Sequence, residues 1–203
     1  MDLRNLEVLA IHKYPEHMEE CCKLINDEWP RSETARMMML QASCDTLPTS
    51  LILIRDRTLV LGHCKLTRIP NIPESCFLET VVISKKFRGQ KLGSFLMTKV
   101  EEYCKNELKL TMVHLSTKGQ ENFYSKLGYS VCAPVSIYGY SQQPLQSINK
   151  NYSNENIVAK PVPKENTSVR VNIPPPPPPP PINNGIIPIS TLKSSKTYMS
   201  KVL

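Results

Sequence analysis

Several familiar signatures are missing from this 203-residue sequence, and each absence excludes a class of protein. There is no Gly-x-x-x-x-Gly-Lys-Ser/Thr loop, which excludes a P-loop nucleotide-binding protein, and no Gly-x-Gly-x-x-Gly turn, which excludes a Rossmann-type dinucleotide-binding protein. No apolar run approaches the length of a transmembrane helix, and no nucleic-acid-binding motif occurs. The four histidines, at positions 12, 17, 63 and 114, lack metal-ligand spacing. We therefore expect no membrane, nucleic acid or metal binding.

Cysteine usage indicates the compartment. The seven cysteines are odd in number, and none forms a Cys-x-x-Cys pair. The first seven residues contain no apolar run, so the sequence predicts no signal peptide. We expect reduced, mostly buried thiols in a cytosolic protein.

The charge is unevenly distributed along the chain. Residues 141–203 contain seven Lys/Arg and two Asp/Glu, whereas residues 1–140 contain eighteen and sixteen. The composition also changes near Ser141 to Ser, Asn, Pro, Lys and Gln, a mixture that buries too little apolar area to fold. The sequence thus predicts a folded domain over 1–140 and a disordered basic tail over 141–203. Its proline run, Pro174 to Pro181, is typical of a polyproline II rod, either a spacer or a ligand for an aromatic-lined groove.

The most informative segment is a β-branched stretch, a basic glycine turn and an amphipathic helix beginning near Leu92. The first N–H groups of a helix have no intrahelical partner, and the helix dipole favours an anion there. The segment therefore predicts a phosphate site, the alternative being a solvated connection. The residues predicted at this site are Arg88, Gly89, Gln90, Lys91, Leu92, Gly93 and Ser94.

Alternating apolar residues and turn signals predict the remaining elements, in an α/β order. Pro15 is placed to open a helix, and Ser32 to cap a second one. The predicted strands cover 6–11, 51–54, 59–67, 76–83, 110–116, 129–132 and 137–140, and the predicted helices 15–27, 32–41, 92–106 and 120–127.

A second motif lies one strand–helix unit downstream, where 113–117 alternates like a strand and a short helix ends at Gly128. Together the two motifs resemble the GNAT superfamily of acetyl-CoA-dependent N-acetyltransferases. The matching residues are Arg88, Gly93, Phe123, Tyr124, Gly128 and Tyr129, while Lys91 stands where the family usually has glycine. The resemblance implies a mixed, mostly antiparallel, splayed sheet flanked by helices.

The resemblance also implies roles for individual residues in direct acetyl transfer within a ternary complex. Tyr124 would protonate the leaving thiolate, and the backbone N–H of Val82 would face the thioester oxygen. The turn at 88–94 would hold the pyrophosphate of acetyl-CoA, and Val81, Val82 and Ile83 would lie beside its pantetheine arm. Asn122 would join these cofactor-binding residues. Glu79 and His114 are alternative bases acting through water, and each is equally well explained as an ordinary strand residue.

Residues 24–32, strand 78–82 and the proline-rich tail together resemble the animal GNAT enzymes that acetylate the N-terminus of actin. This implies actin as acceptor and profilin as a partner of the proline run. Trp29, Arg31 and Arg36 would bind the acceptor, because two guanidinium groups suit an acidic N-terminus. Two alternatives stay open: acetylation of a lysine or small-molecule amine, and a non-catalytic adaptor that acts through the tail.

Overall fold

The computed structural model describes residues 5–138 and 196–203. These form one seven-stranded sheet in the order β1-β2-β3-β4-β5-β7-β6. Only the β4–β5 pair is parallel, and every other pair is antiparallel. The strands are β1 Leu6–Ala10, β2 Thr49–Arg55, β3 Leu59–Arg68, β4 Ser75–Ile83, β5 Met112–Thr117, β6 Ser130–Val131 and β7 Thr197–Val202. The mixed, mostly antiparallel sheet is confirmed.

In the described part of the chain, four α-helices flank the sheet: α1 Met18–Glu28, α2 Glu33–Gln41, α3 Leu92–Asn106 and α4 Glu121–Lys126. Short 3₁₀ turns cover Ile11–Lys13, Pro15–His17 and Lys85–Phe87. The predicted cap of the second helix is confirmed, because Ser32 accepts a hydrogen bond from the Ala35 N–H. Within residues 5–138 and 196–203, no helix is both long and apolar enough to span a membrane.

The sheet is buried on both faces along its centre. In β2, Leu51 and Leu53 belong to the core that contains α3, whereas Ile52 and Ile54 belong to the core that contains α1 and α2. Successive side chains of a strand point to opposite faces, so an unbroken apolar run fits a strand covered on both sides. This explains why β2 reads as continuous Leu and Ile rather than as alternating polar and apolar residues.

Strand β7 corrects the predicted boundary of the disordered tail. Residues 197–202 pair with β5 on one side and with β6 on the other, and Met199 is fully buried. The predicted last strand at 137–140 is a turn at Ile137 and Tyr138, with 139–140 outside the described residues. The strand that lies between β5 and β6 is instead β7, which begins 60 positions after Ile137. The rest of the predicted tail, Pro174 to Pro181 included, also lies outside the described residues.

The sheet opens between its two parallel strands. Pairing of β4 with β5 extends only from Ser75 to Leu78 on β4, which reaches Leu115 on β5. Beyond this point the two strands no longer pair with each other, although β4 continues to Ile83 beside β3 and β5 continues to Thr117 beside β7. The predicted splay is therefore present, and it creates the cavity described next.

Candidate active site

A cavity of about 840 Å³ lies in the opening between β4 and β5. Its wall includes most of the predicted site residues: Trp29, Glu79, Val81, Val82, Ile83, Arg88, Gly89, Lys91, Leu92, Gly93, Ser94 and Tyr124. Gln90 and Asn122 are exposed and lie outside this wall, as do His114, Arg31 and Arg36. The splay therefore brings the predicted anion-binding turn and the predicted proton donor to one cavity.

The turn before α3 has the backbone conformation that an anion site requires. Gly89 has a φ of +77°, and Lys91, at the N-cap, has a φ of +58° and a ψ of +10°. Lys91 thus adopts the left-handed conformation in which glycine is usually found. No side chain caps the helix, so its first N–H groups remain available. A Cβ added to Gly93 would lie 3.4 Å from the Phe123 ring, so this start of α3 lies within van der Waals reach of α4.

The side chain of Arg88 holds the turn in place rather than standing free. Its Nε donates to the Ile83 carbonyl oxygen at 3.0 Å, and an Nη nitrogen donates to Glu28 Oε2 at 2.7 Å. Lys85 Nζ also donates to the Asp27 carbonyl oxygen at 2.7 Å. These bonds connect the turn to the C-terminal end of α1. The backbone N–H groups and Lys91 are therefore the better candidates for contacting a phosphate.

Substitution of Lys91 by glycine should separate strain from charge. We expect Lys91→Gly to raise the free energy of unfolding by about 1 kcal/mol, because a left-handed non-glycine residue is strained. The same change should weaken acetyl-CoA binding by about 3- to 10-fold, since it removes an ammonium group beside the turn. Chemical denaturation and calorimetric titration measure the two effects. Lys91→Ala is the control and should lose affinity without gaining stability. Equal free energies of unfolding for Lys91→Gly and Lys91→Ala would show that the left-handed backbone at this position is not strained.

Tyr124 is suited to donate a proton. It lies on α4, is 9% exposed and forms part of the cavity wall. Its ring packs edge-on against Phe123 and Tyr129, with centroids 5.0 and 5.8 Å away. Burial raises the pKa of Tyr124 to about 12, so the hydroxyl stays protonated at neutral pH.

The two predicted bases differ in position. Glu79 is part of the cavity wall, where Thr67 Oγ1 donates to its carboxylate and Lys65 Nζ lies 3.3 Å away. His114 is buried outside the wall, opposite Phe77 on β4, and burial lowers its pKa. Only Glu79 is therefore placed to take a proton from within the cavity. The role predicted for His114 is not supported by its position.

The predicted pair of acceptor-binding arginines is not brought together at the cavity. Arg36 is only 4% exposed; its Nε donates to Asn26 Oδ1 at 3.1 Å and an Nη nitrogen donates to the Trp29 carbonyl oxygen at 2.9 Å. It faces inward because α2 presents Arg36 and Leu40, one turn apart, on its buried side. Arg36 thus supports the loop that carries Trp29, while Arg31 is exposed outside the wall.

Two lysines of the cavity wall were not predicted. Lys118 follows β5 and Lys196 precedes β7, and the adjacent strand residues Thr117 and Thr197 pair in the sheet. Both lysines are exposed, so the strand ends place two ammonium groups at the cavity. Lys196 was missed because it lies within the predicted tail. The available signal was the short stretch Thr-Tyr-Met-Ser-Lys-Val that follows it.

The backbone of Val82 is oriented differently from the prediction. The Ser84 N–H donates to the Leu61 carbonyl oxygen at 2.8 Å, and His63 pairs with Val82 two positions away in the register. Hydrogen-bonded pairs alternate along an antiparallel ladder, so the Val82 N–H points toward β3. The Thr80 carbonyl oxygen lies 3.3 Å from His63 Nδ1 on β3, so the N–H of the same trans peptide, that of Val81, points away from His63. Val81 also forms part of the cavity wall. The backbone donor predicted at Val82 is therefore better assigned to Val81.

Together, a sheet that splays between parallel strands, a helix N-terminus beside the opening and a buried tyrosine in its wall define an N-acyltransferase fold. The sequence profile of the acetyltransferase (GNAT) family matches residues 18–129. The chain belongs to this family. Within residues 5–138 and 196–203, no group of three or more His, Cys, Asp or Glu is arranged to hold a metal ion.

Similar proteins agree with this assignment. Mouse N-alpha-acetyltransferase 80 is 34% identical over 139 residues, which make up 66% of this chain and 44% of that protein. The chain therefore matches less than half the length of this relative. Among solved structures, an acetyltransferase from Streptococcus agalactiae aligns with a TM-score of 0.55 at 14% identity, covering 99% of this chain and 100% of its own. Vibrio cholerae spermidine N-acetyltransferase, solved with CoA and spermine, aligns with a TM-score of 0.54 at 15% identity, over 64% and 83% of the two chains.

Proposed function

We propose that this chain transfers the acetyl group of acetyl-CoA to the free α-amine of an acidic protein N-terminus. The observation that carries the proposal is the cavity between β4 and β5, whose wall includes both the turn before α3 and the largely buried Tyr124. The 34% identity to a protein named as an N-alpha-acetyltransferase favours an α-amine over a lysine side chain. Acetyl-CoA is a co-substrate in this proposal.

The chemistry requires no covalent enzyme intermediate. A neutral amine attacks the thioester carbon, the C–N bond forms and the C–S bond breaks. The Val81 N–H faces the developing oxyanion, and Tyr124 gives its proton to the departing thiolate. The proton of the attacking amine leaves to water held by Glu79. Because an α-amine has a pKa of about 7.7–8.0, a useful fraction is already neutral at physiological pH.

The preference for an acidic acceptor is supported by Lys118 and Lys196, which supply at the cavity wall the positive charge that Arg31 and Arg36 do not. Both are exposed at the cavity, so carboxylates of a bound N-terminus would meet them without a large desolvation cost. We further propose processed actin as the acceptor, on the resemblance stated above, and profilin as a ligand of Pro174 to Pro181. A cytosolic location follows from this proposal.

A peptide panel tests the activity. The purified full chain is incubated with acetyl-CoA and peptides that begin Asp-Asp-Asp, Glu-Glu-Glu, Met-Asp or Ser-Ala, together with an N-terminally blocked peptide containing lysine. We expect fast turnover of the acidic peptides that have a free amine. Turnover of the blocked lysine peptide alone would contradict an α-amine acceptor. No turnover of any peptide, together with acetyl-CoA binding, would favour a small-molecule acceptor, whereas no turnover with poor acetyl-CoA binding would favour an adaptor role.

Charge reversal tests the two lysines. Lys118→Glu combined with Lys196→Glu should raise KM for the Asp-Asp-Asp peptide by about 10-fold, because repulsion replaces attraction at two exposed sites. The KM for the Ser-Ala peptide should change little. Lys126→Glu, on the exposed side of α4 and outside the cavity wall, is the matched control. An unchanged preference for acidic peptides in the double variant would move acceptor recognition elsewhere, with Arg31→Glu the next variant to measure.

A further inference from the structure

Strand β4 contains a bulge beside the cavity. The register between β3 and β4 shifts between His63 and Lys65, so that Thr80 and Val81 together lie opposite one residue of β3. Thr80 has a φ of +50°, an unfavourable conformation for a β-branched residue. Such a conformation persists only where the surroundings hold it in place. The bulge therefore needs a contact that stabilises it.

His63 makes such a contact. Its Nδ1 lies 3.3 Å from the Thr80 carbonyl oxygen. A carbonyl oxygen only accepts hydrogen bonds, so Nδ1 carries the hydrogen. His63 is fully buried, and burial lowers its pKa to about 3, which keeps the ring neutral. The other ring nitrogen, Nε2, is buried and makes no hydrogen bond within the described part of the chain. The one hydrogen bond that the ring makes there is thus to the bulge.

We propose that His63 is a positioning residue, which fixes the Thr80–Val81 peptide so that the Val81 N–H faces the thioester oxygen. A trans peptide is planar, and its C=O and N–H point in opposite directions. Holding the Thr80 carbonyl toward His63 therefore directs the Val81 N–H away from it. Both Thr80 and Val81 form part of the cavity wall. This proposal rests on the proposed acetyl transfer. It gives a residue of β3 a part in positioning the oxyanion donor, although its complete burial would by itself indicate packing alone.

Three substitutions distinguish the effect of losing the Nδ1–H donor of His63 from the effect of losing the volume of its ring. His63→Leu removes the donor, His63→Asn retains an N–H close to the position of Nδ1, and His63→Gln reaches instead toward Nε2. We expect kcat on the Asp-Asp-Asp peptide to fall by about 10- to 100-fold for Leu and Gln. This is less than the loss of about 10²- to 10³-fold on removal of an oxyanion donor, because the Val81 N–H is displaced and not deleted. Asn should restore kcat to within about 5-fold of the wild type. The KM for acetyl-CoA should change by less than about 3-fold in all three variants.

A kcat for His63→Leu equal to that of the wild type would overturn the proposal, as would Asn and Gln variants of equal activity. The comparison of Asn with Gln decides the matter even if the Leu variant does not fold. A second readout is the ratio of the dissociation constants of CoA and acetyl-CoA, which reports the contact with the thioester carbonyl without turnover. This ratio should fall toward one in His63→Leu and His63→Gln, and it should keep its wild-type value in His63→Asn. If the wild type acetylates no peptide, the proposed function fails, and an unchanged ratio would separately overturn the role of His63.

Discussion

Tyr124→Phe should lower kcat on acidic peptides by about 100-fold or more, while the dissociation constant of acetyl-CoA changes by less than about 3-fold. The hydroxyl is the only group removed, and general acid catalysis contributes about 10²- to 10⁴-fold. The ring remains, so its packing against Phe123 and Tyr129 is kept. Steady-state kinetics and calorimetric titration of acetyl-CoA give the two quantities.

The matched control is Tyr103→Phe, a partly buried tyrosine on α3 outside the cavity wall. It should retain the wild-type kcat. The pH dependence provides a further check, because the pKa of Tyr124 is raised to about 12 and its hydroxyl is fully protonated from pH 6 to pH 9. Activity should therefore not fall in this range through loss of the Tyr124 proton. Unchanged turnover of Tyr124→Phe would remove this residue from the mechanism.

The second large effect concerns acid stability. His63 is buried without charge, with a pKa of about 3 against 6.5 in an unfolded chain. Below pH 6.5 the unfolded chain takes up a proton that the folded chain does not, so the free energy of unfolding falls as the pH is lowered from 6.5 toward 3. Each pH unit in this window corresponds to about 1.4 kcal/mol. From pH 6.5 to pH 5, His63 alone should therefore cost about 2 kcal/mol.

Denaturant unfolding at pH 7, 6 and 5 measures this loss. His63→Asn has no proton to gain, so its free energy of unfolding should vary less with pH, by about 2 kcal/mol between pH 6.5 and pH 5. Burial also lowers the pKa of His114, so His114 likewise reduces the free energy of unfolding as the pH falls, and it does so in His63→Asn as well. The difference between the two proteins thus isolates His63. Identical pH profiles would show that His63 titrates near its ordinary pKa and is not held in the buried layer.

Local signals predicted the elements and the turn well. The Ser32 cap, the start of α3 at Leu92 and the glycine turn at Gly89 all occur where the sequence places them, because each depends on a few neighbouring residues. The paired motifs also located the cavity, since the turn before α3 and the helix that carries Tyr124 flank the same opening. Lys91 shows that a motif can depart from its usual glycine and keep the backbone conformation.

Long-range pairing decided the rest. Thr197–Val202 becomes a strand of the sheet because β5 and β6 offer it partners, whereas the long polar and proline-rich segment before it predicts a tail. Arg36 is turned inward because the rest of α2 already sets which side is buried. The direction of the Val81 and Val82 N–H groups depends on the ladder between β3 and β4, and not on the identity of two adjacent valines.

The amino-acid sequence was thus enough for the family, the order of most elements and the anion-binding turn, because these follow from local conformational preferences and motifs along the chain. The tertiary structure was needed for Lys196, for the inward position of Arg36 and for the contact of His63 with the Thr80 carbonyl. His63 and Thr80 are 17 residues apart in the sequence. They are in contact because the bulge, where Thr80 has a positive φ, brings the Thr80 carbonyl oxygen within reach of the buried His63 ring. The register between β3 and β4 is set by how the two strands pair, and it cannot be read from the residues of either strand alone.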